Sequence, residues 1–146
     1  MNGDRDGARD VVNRLFEATN AHDVESLTRC FAEDYVNETP LHPSRGFRGR
    51  DQVRKNWTAI FQGVPDIRAE IVRSAYDGND AWVECEMAGL RRDGAPHLMR
   101  GIIVFQVENG LISSARFYLE PVDTEDLSVD EAVASAVGAQ TSGRRS

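Results

Sequence analysis

Acidic residues stand in two places where they could carry out proton transfer. Glu84 and Glu86 alternate with apolar residues in the run 81–90, so in a β-strand their side chains would share one face with Trp82. Glu38 stands just before a Thr-Pro turn. In a dry cavity, neighbouring carboxylates cannot all ionise cheaply. One of them would hold a proton near neutral pH and could act as a general acid or base.

The same alternation has a plainer interpretation. Strands that alternate charged and apolar residues usually turn the charges toward water. Glu84 and Glu86 would then form a solvated face, with Trp82 partly exposed. Periodicity alone therefore leaves open which face of this strand is dry.

Other reactive side chains are scattered along the chain. His42 lies in a proline-flanked loop and could shuttle a proton or be an ordinary surface histidine. Arg100 could pair with a carboxylate on a neighbouring strand or reach across a subunit interface. Cys30 and Cys85 have no partner at metal-ligand spacing, so we expect two buried free thiols. The sequence shows no metal cluster, glycine-rich phosphate loop or Ser-His-Asp set, and we expect no metal and no cofactor.

The sequence pattern predicts two helices, a short strand that begins near Tyr35, a third helix and then a series of strands. Apolar residues recur at helical spacing in 8–20, 24–32 and 51–63. The period then changes to two, and we expect strands at 67–76, 81–90, 97–107 and 111–120. Turns rich in Asp, Asn and Gly join these strands, which makes sequential strands antiparallel neighbours. Ser128 and Glu131 form a capping-box signal for a last helix.

These elements predict one α+β domain, in which a curved antiparallel sheet forms a cone and helices pack on its concave side. A length of 146 residues suits one such domain. The net charge of -7 excludes a basic, phosphate-tracking surface, so we expect no nucleic-acid partner. No apolar run approaches the roughly 20 residues that cross a bilayer. The first ten residues are charged, which favours a cytoplasmic location.

Several stretches resemble one known group of proteins. The segments 15–23, 31–34 and 49–51 are similar to the opening of SnoaL-like, ketosteroid isomerase-like and limonene epoxide hydrolase-like domains, members of the nuclear transport factor 2-like superfamily. The segments 104–112 and 116–118 are similar to their closing hairpin. The resemblance covers about residues 8 to 122 and implies a cone with a pocket. It makes residues 1–138 a single SnoaL-like domain and 139–146 a flexible tail.

The resemblance does not carry over the relatives' catalytic residues. The places of the isomerase base and of its two hydrogen-bond donors fall on Thr39, Leu15 and Ile103, which excludes that mechanism. Phe117 stands where SnoaL-like cyclases and epoxide hydrolase-like proteins carry an aspartate. A close copy of either reaction is therefore not expected.

The resemblance does imply that Glu38, Glu84 and Glu86 face the cavity. Glu86 is then the expected general base, with Glu38 or Glu84 as the partner acid or as the group that holds water. The expected substrate-binding side chains are mostly aromatic or apolar: Trp82, Phe16, Trp57, Ile103, Phe105, Phe117 and His42.

The leading hypothesis is a cofactor-free pocket protein that acts on a small, largely apolar molecule. Its chemistry would be acid/base catalysis of the isomerase, cyclase or epoxide hydrolase type. The alternative is a non-catalytic ligand-binding or dimerisation module of the same fold. The outer sheet face carries three large, mostly apolar side chains: Ile102, Val104 and Tyr118. Exposing such a face to water is unfavourable, so we expect a homodimer through it.

Overall fold

A computed structural model describes residues 7–139 of the chain. The elements in chain order are α1 (Ala8–Asn20), α2 (Val24–Thr28), β1 (Phe31–Glu38), a short 3₁₀ turn (Pro43–Arg45), β2 (Phe47–Arg48), α3 (Arg50–Gly63), β3 (Arg68–Asp77), β4 (Asp80–Leu90), β5 (Pro96–Glu108), β6 (Leu111–Pro121) and α4 (Val129–Ala136). The predicted α+β class is confirmed.

The strands form one open, six-stranded sheet in the order β2-β1-β6-β5-β4-β3. Strands β3 to β6 are sequential antiparallel neighbours, as their short turns predict. The sheet is nevertheless mixed, because β1 pairs with β6 in parallel. A wholly antiparallel sheet was therefore the wrong expectation for this one pair. The parallel pairing brings the end of β1 beside the end of β6, and this placement builds the site described below.

Two boundaries differ from the sequence-based prediction. The second helix was expected to run to about residue 32, but α2 ends at Thr28 and β1 begins at Phe31. The backbone of Cys30 already accepts a hydrogen bond from the amide of Ile112, so sheet pairing overrides the helical pattern here. The two-residue strand β2 was not predicted, since so short a strand leaves no periodicity.

The hydrophobic core lies between α1 and the inner face of the sheet. On β4 the inner face is formed by the odd-numbered residues, and Ala81, Val83 and Cys85 are all buried. The opposite face of α1 is polar, while its buried side includes Val11, Val12, Leu15 and Phe16. The amphipathic helix and the alternating strand thus bury their apolar sides against one another.

Two sequence features shape the β4–β6 region. At the β5–β6 turn, Asn109 and Gly110 both have positive φ angles of 54° and 77°, the geometry that an Asn-Gly hairpin turn requires. Within β5, a Cβ atom at Gly101 would lie 2.0 Å from the carbonyl oxygen of Tyr118. Only glycine permits this close approach of β5 and β6.

The last helix begins as the sequence predicts. Ser128 and Glu131 form both hydrogen bonds of a capping box at the start of α4. The tail expected at 139–146 lies, apart from Ala139, outside the described residues. Within residues 7–139, no helix is long and apolar enough to cross a membrane.

Candidate functional site

A cavity of about 380 Å³ lies between α3 and the inner face of the sheet. Its walls are mainly aromatic and sulfur-containing side chains from α3 and strands β1, β2, β4, β5 and β6. They comprise Phe31, Phe47, Trp57, Met87, Met99 and Phe117. The volume suits a small organic ligand, and such walls favour an apolar one.

The inner end of the cavity is closed by tightly packed side chains. Only about 20 Å³ of space remains among them, so these side chains form the floor of the cavity. Five of the residues predicted to bind substrate lie here: Phe16, Trp57, Ile103, Phe105 and Phe117. Trp57 and Phe117 also line the main cavity, so these two are the ones that an occupant would touch first.

A polar cluster follows one wall of the cavity, along the inward-facing side of β1. The hydroxyl of Tyr35 donates to Oδ1 of Asn37 at 2.7 Å, and Nδ2 of Asn37 donates to Oγ1 of Thr39 at 3.4 Å. All three residues line the cavity. Because β1 is extended, Tyr35 and Asn37 share one face, and Thr39, just past the end of the strand, contacts Asn37 on the same side. Asn37 and Thr39 carry donors that could bind a carbonyl or hydroxyl oxygen of a ligand.

Burial raises the pKa of Tyr35 far above its ordinary value. The phenol therefore remains protonated under all ordinary conditions. It can donate a hydrogen bond but cannot act as a base. Its proton is committed to Asn37, and this fixes the orientation of the Asn37 amide group.

A second polar pair lies at the cavity mouth. Nε2 of His42, in the loop after β1, is 2.9 Å from Oε1 of Glu120, near the end of β6. Glu120 lines the cavity, as do Arg45 and His97 at the same end. About a third of each of the two paired side chains is exposed, so solvent reaches both. Glu120 lines the cavity, whereas His42, predicted to bind substrate, contacts Glu120 from outside the set of lining residues. A histidine oriented by a carboxylate is a common arrangement for proton transfer near neutral pH.

The structure turns the three predicted catalytic glutamates away from the cavity. Glu84 pairs with Arg73 on the outer sheet face, and Glu86 pairs with Arg100 there. Glu38, which is exposed, pairs with Arg116 at 2.8 Å. The inward orientation expected for these glutamates is wrong.

Trp82 was also misplaced by the prediction. It lies on the same outer face as Glu84 and is 51% exposed. In an antiparallel sheet, directly opposite residues share a face, and Glu84 is opposite Ile102, which is itself outward. The plainer interpretation of the alternation, a solvated charged face, is the one that holds. Arg100 does pair with a carboxylate across strands, one of the two roles expected for it.

The side chains that the sequence prediction missed are Asn37, Tyr35 and Glu120. Asn37 immediately precedes Glu38, and neighbouring residues of a strand lie on opposite faces, so the prediction chose the outward member of this pair. Parity along β1 could have revealed this, because Tyr35, Asn37 and Thr39 alternate. No local signal singles out Glu120, since its partner His42 is distant in sequence.

The two cysteines offer no alternative chemistry. Both are buried free thiols, as expected. Burial raises the pKa of Cys85 to about 11 and also raises that of Cys30, so neither forms the reactive thiolate near neutral pH. Within residues 7–139, no three His, Cys, Asp or Glu side chains converge in the manner of a metal site.

A larger hollow of about 510 Å³ lies elsewhere, between α1, α2 and the β5–β6 turn. It is a broad surface groove whose rim carries charges of both signs, including Glu17, Asp23 and Arg29. Mainly apolar walls and a few converging polar groups, the features that mark a ligand site, are found together in the α3 cavity instead.

The fold agrees with what sequence comparison shows. A model of the SnoaL-like domain family matches residues 12–115, and the chain belongs to that family. Comparison with curated protein sequences found no significant match. The remaining comparison is with the folds of solved structures.

Three solved structures illustrate these likenesses. A candidate ketosteroid isomerase from Kribbella flavida superposes with a TM-score of 0.67 at 20% identity, covering 91% of this chain and 90% of its own. IdmH, a candidate polyketide cyclase from Streptomyces antibioticus, gives 0.67 at 22%, covering 77% and 91%. A candidate polyketide cyclase from Sinorhizobium meliloti gives 0.60 at 26%, covering 76% and 94%. These likenesses show that the chain shares the fold of these proteins.

Proposed function

We propose that the chain binds a small, largely apolar molecule in the α3 cavity and catalyses proton transfer on it without a cofactor. The observation that carries the proposal is the arrangement of two polar groups around an apolar cavity, the Asn37–Thr39 cluster on one wall and the His42–Glu120 pair at the mouth. The family and its isomerase and cyclase neighbours support a reaction of that general type.

The apolar walls would provide most of the binding free energy. Trp57, Phe117 and Met99 each present a large apolar surface to the cavity. Burying such surfaces against a ligand contributes about 25 cal/mol for each Å² removed from water. The remaining predicted residues, Phe16, Ile103 and Phe105, would support these walls from behind. A molecule with one oxygen function and an otherwise apolar body fits this distribution.

The oxygen function would bind at the Asn37–Thr39 cluster. When a base removes a proton next to a carbonyl group, negative charge develops on the carbonyl oxygen. Fixed donors at that oxygen stabilise the developing charge, and they do so more strongly in a site from which water is excluded. Nδ2 of Asn37 and the hydroxyl of Thr39 would act in this way.

His42 would transfer the proton. Its Nε2 faces Glu120, so Nδ1 is the nitrogen that would accept a proton from the substrate and return it at another carbon. The Glu120 carboxylate would hold the ring in this orientation and stabilise the imidazolium that forms. In this proposal the His42–Glu120 pair takes the role that the sequence assigned to Glu86.

A second candidate function is ligand binding without catalysis. The outward direction of Glu38, Glu84 and Glu86 favours it, because the cavity then lacks the acids expected from the family resemblance. The two candidates differ in one measurable property, namely whether a bound carbonyl compound exchanges its acidic C–H protons faster on the protein than in water.

The test uses β-tetralone, a small bicyclic ketone, in deuterium oxide. Binding is followed through the ¹³C-methyl NMR signals of Met87 and Met99, both of which line the cavity. Proton exchange is followed as loss of the ketone's own α-proton signal. We expect the wild-type protein to accelerate exchange, and His42→Asn and Glu120→Gln each to reduce the acceleration about 100-fold.

Glu86→Gln is the matched control, because it removes an equivalent carboxylate from the outer face, and it should exchange at the wild-type rate. Methionine shifts without accelerated exchange would favour the binding module. Equal losses in Glu86→Gln and Glu120→Gln would overturn the assignment of His42 and Glu120.

We also propose that two chains associate through the outer sheet face. Trp82 and Ile102 are 51% and 41% exposed there, and their neighbours Val104 and Tyr118 are half-buried. Exposed apolar side chains that lie side by side on a sheet face favour association. A molar mass of one chain, measured by light scattering at micromolar concentration, would contradict a homodimer.

A further inference from the structure

The C-terminal helix presents an apolar face that nothing buries. Val129, Val133 and Val137 follow one another at four-residue steps, so they form a stripe along one side of α4. They are 78%, 56% and 73% exposed, and no residue of α4 is buried. In a helix without tertiary function, such a stripe would carry polar residues.

The sequence nevertheless contains a strong start signal for this helix. The capping box at Ser128 and Glu131 satisfies two backbone amides at the helix start. Eight residues are too few for a stable isolated helix in water, and most helical stability in proteins comes from packing an apolar face. A capped helix with an apolar stripe therefore implies a docking surface for that stripe.

The chain leaves the sheet at the mouth of the α3 cavity. Glu120 lines the cavity, and the amide of Val122 donates to the carbonyl of Leu98 at 3.0 Å. Leu98 lies between His97 and Met99, both of which line the cavity. The segment that carries α4 is thus anchored at the rim of the opening.

The linker is long enough to return α4 to that opening. Six residues, 123–128, separate Val122 from the helix and can span at most about 20 Å. The helix itself is about 12 Å long. So short a tether gives α4 a millimolar effective concentration at the cavity mouth of its own chain. The opening of the same chain is therefore a better partner than that of a second copy.

The surroundings of the mouth complement the segment in two ways. Leu41, next to His42 in the loop after β1, is 60% exposed and offers an apolar contact for the valines. Arg45 is an exposed cation at the cavity. The segment 122–139 contains five acidic residues and no lysine or arginine.

We propose that α4 is a lid that docks its valine stripe over the mouth of the α3 cavity in its own chain. Docking would cover Leu41 and the His42–Glu120 pair and exclude water from the cavity. In a site closed in this way, fixed donors such as Asn37 stabilise charge more strongly. The inference rests on the proposed function of the cavity as the ligand site.

The test places a nitroxide label on the polar side of α4 and observes the cavity methionines. Ser135→Cys supplies an exposed thiol, while the native Cys30 and Cys85 are buried and should remain unlabelled. The ¹³C-methyl signals of Met87 and Met99 then report the approach of the label. We expect the Met99 signal to lose more than half its intensity, and the loss to increase when β-tetralone is present.

A variant pair examines the stripe itself. Val133→Gln with Val137→Gln should restore the Met99 signal in the labelled protein. Ala132→Gln with Ala136→Gln, which changes a neighbouring side of the same helix, should leave the broadening in place. Because α4 buries no residue, neither pair should unfold the domain.

Two results would overturn the lid. The first is an unchanged Met99 signal with and without β-tetralone. The second is broadening that appears when labelled chains without ¹³C are mixed with unlabelled ¹³C-methionine chains, since the helix would then belong to another copy. The shifts that β-tetralone causes in unlabelled protein report ligand binding independently, so failure of the lid is distinguishable from failure of the site.

Discussion

The two faces of the central sheet show how one alternating strand serves two environments. On β4, the inward residues Val83 and Cys85 are buried almost completely, while the outward Glu84 and Glu86 bind arginines of neighbouring strands. The inner face gains stability by excluding water, and the outer face keeps its charges hydrated. Acidic residues that alternate with buried residues along a strand can therefore lie on the far face of the sheet, away from the cavity.

The largest difference between the faces should be seen in unfolding. Phe105 on the inner face is 1% exposed, and Phe105→Ala should lower the free energy of unfolding by about 3–5 kcal/mol, because a cavity replaces the ring. Gln106→Ala, one residue along and on the outer face, should change it by less than about 0.5 kcal/mol. Urea denaturation measures both. Similar losses would contradict the assignment of the faces.

The second difference concerns assembly. Trp82→Glu places a charge in the centre of the proposed interface, and it should weaken dimerisation by at least about 2 kcal/mol, or about 30-fold in the dissociation constant. Analytical ultracentrifugation over a range of concentrations measures this. Val72→Glu, an exposed position on the neighbouring strand β3, is the control. If Trp82→Glu has the wild-type dissociation constant, the dimer interface does not include Trp82.

Buried Tyr35 on the inner face should make the stability of the fold depend on pH in the alkaline range. Tyr35 keeps its proton in the folded state because burial raises its pKa, whereas in the unfolded chain it ionises above its ordinary value of 10.0. The unfolded state therefore binds fewer protons, and stability falls as pH rises beyond 10. By about pH 11 the loss from this group should reach roughly 1 kcal/mol.

Variants at the two positions isolate this effect. Tyr35→Phe should remove the alkaline loss, at a cost of about 1 kcal/mol at neutral pH from the lost bond to Asn37. Tyr118→Phe, on the outer face, leaves Tyr35 in place and is the matched control. Denaturation curves recorded from about pH 8 to about pH 11, a range that spans tyrosine's ordinary pKa, test both. A wild-type slope in Tyr35→Phe would exclude Tyr35 as the source.

The smallest effect is expected at the outer ion pairs. The Glu86–Arg100 pair is partly exposed, and such pairs contribute at most about 1 kcal/mol and are screened by salt. Glu86→Gln should therefore lower stability by only a few tenths of a kcal/mol, and less still in concentrated salt. Chemical denaturation at two salt concentrations measures this. A loss comparable to that of Phe105→Ala would mean that Glu86 is not a surface residue.

Much of the fold could be predicted because its signals are local. The four long strands lie within one or two residues of their predicted bounds, since apolar alternation and Asp-Gly or Asn-Gly turns are written in adjacent residues. The capping box likewise needs only Ser128 and Glu131. Strand β2 was not predicted because two residues are too few to show a periodicity.

The orientation of the glutamates was also within reach of the sequence, although it was missed. The turn around Asp93 and Gly94 sets Glu84 opposite Ile102. Opposite residues share a face, so an outward Ile102 requires an outward Glu84. Placing one inward and the other outward was inconsistent, and the register of the hairpin decides between them.

The sequence by itself determined the α+β class, the helices and hairpins, and the apolar side chains of the cavity floor, because each depends on residues close in the chain. The tertiary structure alone decided that His42 meets Glu120 at the cavity mouth. This meeting follows from the parallel pairing of β1 with β6, a contact between distant segments. Local periodicity carries no information about which distant strand a strand will join, so the site could only be read from the folded chain.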